Sequence, residues 1–375
     1  MKRALRLLLV LAGLATSGAL ASGPAPAPSG KAAGPLERPA LVSAQARRQV
    51  LLDAALAGER LVVVGERGIV LLSDDSGATW RQAKVPVSVT LTAVRFVNAK
   101  TGWAVGHYGA VLKTDDAGES WTLQLDGVRA ASLALADAKQ KAERAPAGDA
   151  KAAAYVAEAE RLVADGPDKP FLDLFFESET TGFVLGAYNL IFRTEDGGKS
   201  WAPWIDRVEN PKVLHLYALR PANGALYMAG EQGLLLKSTD GGQAFRRIET
   251  PYAGSFFSLL PLPSGELLAA GLRGNAWVLE TAGKWRKVEP APPVNITSSI
   301  LGPDGKVYLT NFAGQVWVSE DGARSVHPLP LPSLPPLTRF LPLKGGALAL
   351  SLQGLIPLPP GGAAPAPAAH DGGAR

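Results

Sequence analysis

Carboxylates pose the first chemical question. Asp75, Asp116, Asp196 and Asp240 each stand in one frame, Ser/Thr-x-Asp-x-Gly-x-Ser/Thr-Trp/Phe, spanning 73–80, 114–121, 194–201 and 238–245. Ala244 is the one departure, at the second hydroxyl position. A carboxylate flanked by hydroxyls could ligate a metal or act as a general acid. Recurring at turn after turn, it reads better as a folding device. An Asp in a tight turn accepts hydrogen bonds from backbone N–H groups a few residues on. Gly77, Gly118, Gly198 and Gly242 can take φ > 0 at no steric cost. Trp80, Trp121, Trp201 and Phe245 each open the next strand as a large apolar plug.

A second set of polar and aromatic side chains lies in another recurrent segment, two apolar residues followed by Gly-x-x-Gly. It reads Val63–Gly68, Ala104–Gly109, Val184–Asn189, Met228–Gly233, Ala269–Gly274, Leu309–Gly314 and Leu350–Gly354, seven copies in all. The pattern is that of a hairpin turn. Its variable positions, with their flanks, supply the candidate binding residues Glu66, Arg67, His107, Tyr108, Tyr188, Asn189, Glu231, Gln232, Arg273, Phe312 and Gln353, with Asn275 close by. No catalytic constellation, metal site or cofactor is expected.

Composition narrows the chemistry further. There is no Cys, hence no disulfide, thiolate metal site or Cys nucleophile. The four His (His107, His215, His327, His370) show no ligand spacing. Lys2, Arg3 and Arg6, an apolar run Leu7–Leu14 and Ala19-Leu20-Ala21 together read as a signal peptide over 1–21, cleaved after Ala21. That implies a periplasmic or secreted protein with no membrane anchor after cleavage. The leader holds three of the 38 basic residues and no acidic one, so 35 basic face 34 acidic residues in the remainder. This near-balance does not describe a nucleic-acid surface.

The elements that would position these residues follow from the period. The box Asp recurs after 41, 80 and 44 residues, the middle interval being one repeat plus an insertion. A period of about 40–45 with several short strands per unit marks a β-propeller. The reading is all-β: a seven-bladed β-propeller of four-stranded blades over 40–358, after a Pro/Ala-rich linker at 22–39 and before a disordered tail at 359–375. The innermost strands are expected at 50–56, 91–97, 171–176, 214–219, 256–260, 296–300 and 337–341. Blade five keeps a shortened box, Thr281–Trp285, and blade six has Ala323 where Gly is expected. Blade seven has no box, and its fourth strand is expected from Ala40–Ala44. Residues 130–165 are rich in Ala, Lys, Glu and Arg around a Pro146–Gly148 break, and read as two helices inserted between blades two and three.

With strands named A to D outward from the axis, the boxes are C–D turns and Gly-x-x-Gly joins B to C. Alternate turns of an antiparallel sheet point opposite ways. The B–C turns therefore share a face with the D–A connections, and so with the helical insertion. Loops on a rigid scaffold are where binding residues are usually placed.

The boxes resemble those of bacterial neuraminidase (BNR) repeats. Gly-x-x-Gly, a short strand and then Thr-x-Asp-Gly-Gly-x-Ser-Trp, best matched by Thr194–Trp201, is similar to the photosystem II stability and assembly factor family, onto which residues 45–358 can be laid. That resemblance implies a non-enzymatic, monomeric binding propeller, in whose photosynthetic members newly made reaction-centre protein is bound and an arginine-bearing patch is implicated. Arg67 and Arg273 lie in turns that could contribute to such a patch. The expected partner is a segment of a membrane or envelope protein. The helical insertion and the altered boxes of blades five and six depart from the family pattern. The alternative is a sialidase-like glycosidase or glycan-binding propeller. The neuraminidase Arg-Ile-Pro motif is missing, and Glu66 and Glu231, the acids of the B–C turns, fall on nearly opposite blades. Two B strands add roughly 10 Å to the channel width at about 4.8 Å per strand, whereas glycosidase pairs need about 5–9.5 Å.

Overall fold

The computed structural model describes residues 33–289 and 293–359. The expected leader at 1–21, most of the linker and nearly all of the tail lie outside the described residues. The seven repeats form seven antiparallel sheets, six of four strands and one of three. Strand A runs over Leu51–Ala57, Leu91–Phe96, Phe171–Phe176, Leu216–Ala222, Phe256–Pro261, Ile296–Leu301 and Leu337–Leu343 in blades one to seven. Each lies beside strand A of the next blade, and Leu337–Leu343 returns beside Leu51–Ala57. The chain is a seven-bladed propeller.

Both recurrent segments have a steric explanation. The first Gly of Gly-x-x-Gly ends strand B against the start of strand A. A Cβ on Gly65 would lie 2.2 Å from the Val50 carbonyl oxygen, and one on Gly106 would lie 2.1 Å from that of Thr90. The box works as a knot of hydrogen bonds. Asp75 accepts the Ser73 hydroxyl and the Thr79 amide, both at 2.8 Å, and the Thr79 hydroxyl at 2.5 Å. Ser73 Oγ in turn accepts Gly77 N–H, and Trp80 Nε1 donates to the Gly77 carbonyl. Asp116 and Asp196 repeat the carboxylate bonds, and Asp240 does so without the second hydroxyl; Trp121 repeats the indole bond, whereas Trp201 Nε1 has no partner among the described residues. Blade six keeps the carboxylate and hydroxyl bonds around Asp321, with Ala323 at φ 61° in place of the expected Gly and Val326 in place of the aromatic.

Blade seven differs from expectation. Its sheet has three strands, Leu337–Leu343, Gly346–Ser351 and Gly354–Leu358. Ala40–Ala44 does not join it. The Ala40 N–H donates to the Val85 carbonyl, and Gln82 exchanges side-chain bonds with the Ser43 amide and Leu41 carbonyl. This segment therefore follows strand D of blade one. Two residues on, Ala46 is buried in the cluster that Leu51 and Leu61 form with Leu341 and Leu350. The ring closes through its inner strands and this apolar seam rather than by strand exchange.

The insertion is a helical hairpin, α1 (Gly127–Arg144) and α2 (Ala150–Asp165). Asp126 caps α1 by accepting Arg129 N–H, and Asp149 caps α2 by accepting the Lys151 and Ala152 amides. Ala130, Ala134 and Ala138, spaced four apart, bury one face of α1 among Trp103, Leu125, Phe171 and Trp201 of blades two and three. Lys141 fixes the hairpin from outside, 2.8 Å from both Asp137 and Asp206.

Candidate functional site

All seven A strands carry a register shift at their start, pairing residues such as Leu51 and Asp53, or Leu337 and Arg339, with consecutive partners. Such a bulge re-aims side chains. Here it turns two consecutive residues of each A strand toward the axis. They line a central channel: Leu52 and Asp53, Thr92, Leu172 and Asp173, Tyr217, Phe257 and Ser258, Thr297 and Ser298, Thr338 and Arg339, joined by Arg95 and Arg220.

These residues stitch blade to blade. Asp53 accepts Val94 N–H of the next blade at 3.0 Å, Asp173 accepts Leu219 N–H at 3.0 Å, and Ser258 Oγ accepts Ser299 N–H at 3.1 Å. At other junctions a Thr hydroxyl donates forward: Thr92 to the Phe171 carbonyl (2.7 Å), Thr297 to that of Leu337 (3.0 Å) and Thr338 to that of Leu51 (2.7 Å). The blade four–five junction uses an edge-to-face contact of Tyr217 with Phe257, ring centres 5.2 Å apart. An ionic belt overlays the stitches. Arg95 bridges Asp53 and Asp173, Arg220 reaches Asp173 at 2.5 Å, and Arg339 lies 3.0 Å from Asp53. Burial alone would raise the Asp53 pKa, but Arg339 and Arg95 outweigh it and hold the carboxyl below its usual range. Sequence reading missed this belt. Its signal was present, since Asp53, Arg95, Asp173, Arg220 and Arg339 are charges inside otherwise apolar strands.

The B–C turns gather on one face as the strand order requires. The α1 helix touches the His107–Gly109 turn, and α2 forms a cleft with Tyr188 lined also by Tyr155, Arg161, Leu162 and Lys169. At the second variable turn position Arg67, Tyr108, Tyr188, Gln232 and Arg273 all adopt φ between 52° and 59°. Each non-glycine residue there costs about 1–2 kcal/mol. All five side chains are exposed, as are His107, Phe312 and Gln353. Tyr108, Tyr188, Phe312 and Leu352 are 38–48% exposed, apolar side chains on the turns of blades two, three, six and seven. Tyr188 packs edge-on against His215 at 4.5 Å with the Lys169 ammonium over its face, and the aromatic line continues through Tyr217 to Phe257 in the channel. Although the His107 side chain is exposed, partial desolvation by the protein around it pushes its pKa down, which favours the neutral form.

Three candidates serve the scaffold instead. Glu66 accepts Val50 N–H at 3.1 Å, and Glu231 accepts His215 N–H at 2.9 Å. Both bonds reach back 16 residues, so the same latch fastens strand A in blades one and four. Asn189 is buried. It takes the left-handed position of the second Gly, and its carbonyl oxygen accepts from Asn210 at 3.0 Å.

This geometry has known counterparts. The family model described as "Photosynthesis system II assembly factor YCF48" matches residues 156–253, from α2 through blade four. The chain resembles the photosystem II assembly-factor family. A curated relative within it, the photosystem II assembly lipoprotein Ycf48 of Synechococcus sp. (strain CC9902), is 28% identical over 160 residues. That match spans 42% of this chain and 39% of the relative. Among solved structures, YCF48 bound to a D1 peptide superposes with a TM-score of 0.59 at 16% identity, covering 82% of this chain and 92% of that one. YCF48 from Cyanidioschyzon merolae gives 0.58 at 14% identity, covering 82% and 94%. At these identities the structures speak for the family's fold. The helical hairpin lies partly inside the matched segment, since α2 opens it.

Proposed function

We propose that this chain is a non-enzymatic, exported binding propeller that holds a segment of a membrane or envelope protein across its B–C face during assembly. The reading rests on one observation above all. Exposed Tyr108 and Tyr188 of blades two and three, and Phe312 and Leu352 of blades six and seven, form two apolar pairs separated by Arg67 on one side and by Gln232 and Arg273 on the other, five of these seven on backbone held in a costly conformation. Strain retained at the same position in blade after blade is expected where side chains must be presented in a fixed direction. Aromatic and Arg side chains are the usual anchors of protein interfaces. The likeness to a YCF48 structure with a D1 peptide supports a peptide-like occupant. The cleft between α2 and Tyr188 extends the rim and gives an extended segment a side wall.

Against the glycosidase reading, Glu66 and Glu231 each accept a backbone N–H at the start of their own blade's strand A. The protein acts as a monomer, without cofactor or metal and without nucleic acid.

The test compares the intact chain with one lacking 130–165 and with Tyr188→Ala/Phe312→Ala, by capture from the organism's own envelope and by titration of a labelled D1 peptide. Loss of an aromatic anchor costs about 2 kcal/mol, or roughly 30-fold in Kd. Recovery of one membrane protein, lost on deletion and weakened in the double variant, supports the reading. Recovery of none, or equal affinity in all three forms, overturns it. Turnover of a fluorogenic sialoside reinstates the enzyme.

A further inference from the structure

The ionic belt is unevenly matched. Three guanidinium groups, Arg95, Arg220 and Arg339, face two carboxylates, Asp53 and Asp173. Arg95 and Arg220 each donate hydrogen bonds to a carboxylate and also to a backbone carbonyl, those of Val94 and Leu219. Arg339 does neither among the described residues. Its Nη1 is 3.0 Å from Asp53 Oδ1 but out of hydrogen-bonding alignment, and its Nε is buried with no partner. Asp53 Oδ1 likewise receives no hydrogen bond.

The neighbouring sector of the channel is polar and uncharged. Blades five and six contribute Ser258 and Ser298 where blades one and three contribute Asp. Ser258 is satisfied by Ser299, whereas Ser298, only 5% exposed, has a buried hydroxyl with no partner. A guanidinium that shares its one carboxylate, Asp53, with Arg95 and makes no hydrogen bond, and an orphan hydroxyl, thus occupy the same position of adjacent A strands. Their channel surroundings hold Thr297 and Thr338 and no further carboxylate among the described residues. Buried polar groups without hydrogen bonds are exceptional enough to call for an explanation such as a bound ion. The planar fork of Arg fits carboxylate and phosphate oxygens bidentately.

We propose that the blade six–seven sector of the channel is a binding site for a small oxyanion, a carboxylate or a phosphate, gripped by the Arg339 guanidinium with the Ser298 hydroxyl beside it. The anion neutralises the surplus charge of the belt. It also ties blade six to the closing blade, at the junction next to the three-stranded sheet. The site is separate from the B–C rim and does not rest on the partner proposed for it.

Inorganic phosphate and acetate are the probes, titrated by calorimetry and by thermal melting against sodium chloride at matched ionic strength. The expected result is saturable binding of at least one, with a rise in Tm that chloride does not give. Arg339→Gln loses tenfold or more in affinity, Arg339→Lys loses less because it keeps the charge without the fork, and Ser298→Ala loses a few fold. Phosphate binding above acetate points to a free phosphate-type ligand, and the reverse to a carboxylate. The double variant Arg67→Gln/Arg273→Gln, which changes only rim turns, binds as the parent does. Absence of saturable binding by either probe, undiminished binding in folded Arg339→Gln, or a loss confined to the rim variant overturns the proposal. Should Arg339→Gln fail to fold, Arg339→Lys and Ser298→Ala decide it by the same readout.

Discussion

Asp173 and Leu219 are joined across a blade boundary: the carboxylate oxygen that accepts the Leu219 amide at 3.0 Å also receives Arg220 at 2.5 Å. One residue therefore satisfies a backbone group of the next blade and neutralises that blade's cation. Asp53 does the same for Val94 and Arg95. The charges that line the channel are also the fasteners of the ring.

Replacing Asp173 with Ala should then be far more damaging than an ordinary surface change. It strands Arg220, leaves Arg95 with Asp53 alone and leaves Leu219 N–H without its acceptor. Breaking a buried pair by removing one partner costs about 3–5 kcal/mol. Urea denaturation of the Asp173→Ala variant, with a midpoint unchanged from the parent, would show that the belt is decorative.

Ring closure depends on a few atoms. The Thr338 hydroxyl donates to the Leu51 carbonyl from 287 residues away. Thr338→Val keeps the shape and deletes the donor, at a cost of about 1 kcal/mol. Hydrogen exchange should quicken selectively in Leu51–Ala57 and Leu337–Leu343. Uniform change across all blades would contradict a local seam.

Two glycines make a matched test of steric cause. A Cβ at Gly106 meets the Thr90 carbonyl at 2.1 Å, whereas one at Gly148, in the loop between the two helices, meets nothing within 4 Å despite φ +82°. Gly148→Ala should cost about 1 kcal/mol for its left-handed backbone alone. Gly106 is in ordinary extended backbone, so Gly106→Ala carries no such strain but a backbone clash, and should exceed the about 1–3 kcal/mol usual for overpacking. Equal melting temperatures for the two variants would refute the close-approach account.

Acid should loosen the boxes. Hydrogen bonds from the Thr79 hydroxyl and amide pull the Asp75 pKa down to about 2, and Asp116, Asp196, Asp240 and Asp321 also lie below the ordinary 3.8. A depressed folded-state pKa means the unfolded chain takes up protons first. The stabilisation is fully present above the unfolded value and is lost as pH falls from about 4 toward 2. Urea midpoints measured through that window should fall for the parent and fall less for Asp196→Asn, which no longer titrates there.

Much of the fold was legible because its signals are short. Each box closes on itself within eight residues, and each Gly-x-x-Gly turn within four, so local sequence already contains the bonding partners. Phe171–Phe176 was placed to the residue, and the two helices expected around the Pro146–Gly148 break form as α1 and α2. The candidate rim was legible in outline, since strand order alone puts the B–C turns on one face. Which of its side chains point outward was not. Glu66 and Glu231 look free in sequence and are spent on Val50 and His215. Asn189 looks exposed and is locked by Asn210.

The sequence by itself determined the number of blades, the turn that joins each pair of strands and the place of the helical hairpin, because periodic patterns and turn chemistry act between near neighbours. Only the tertiary structure decided that the first described residues follow blade one, that blade seven stops at three strands, and that five distant charges meet on one axis. Those outcomes depend on competition among partners far apart in the chain. Packing of Ala46 with Leu350 and the pairing of Asp53 with Arg339 exist only once the ring has closed.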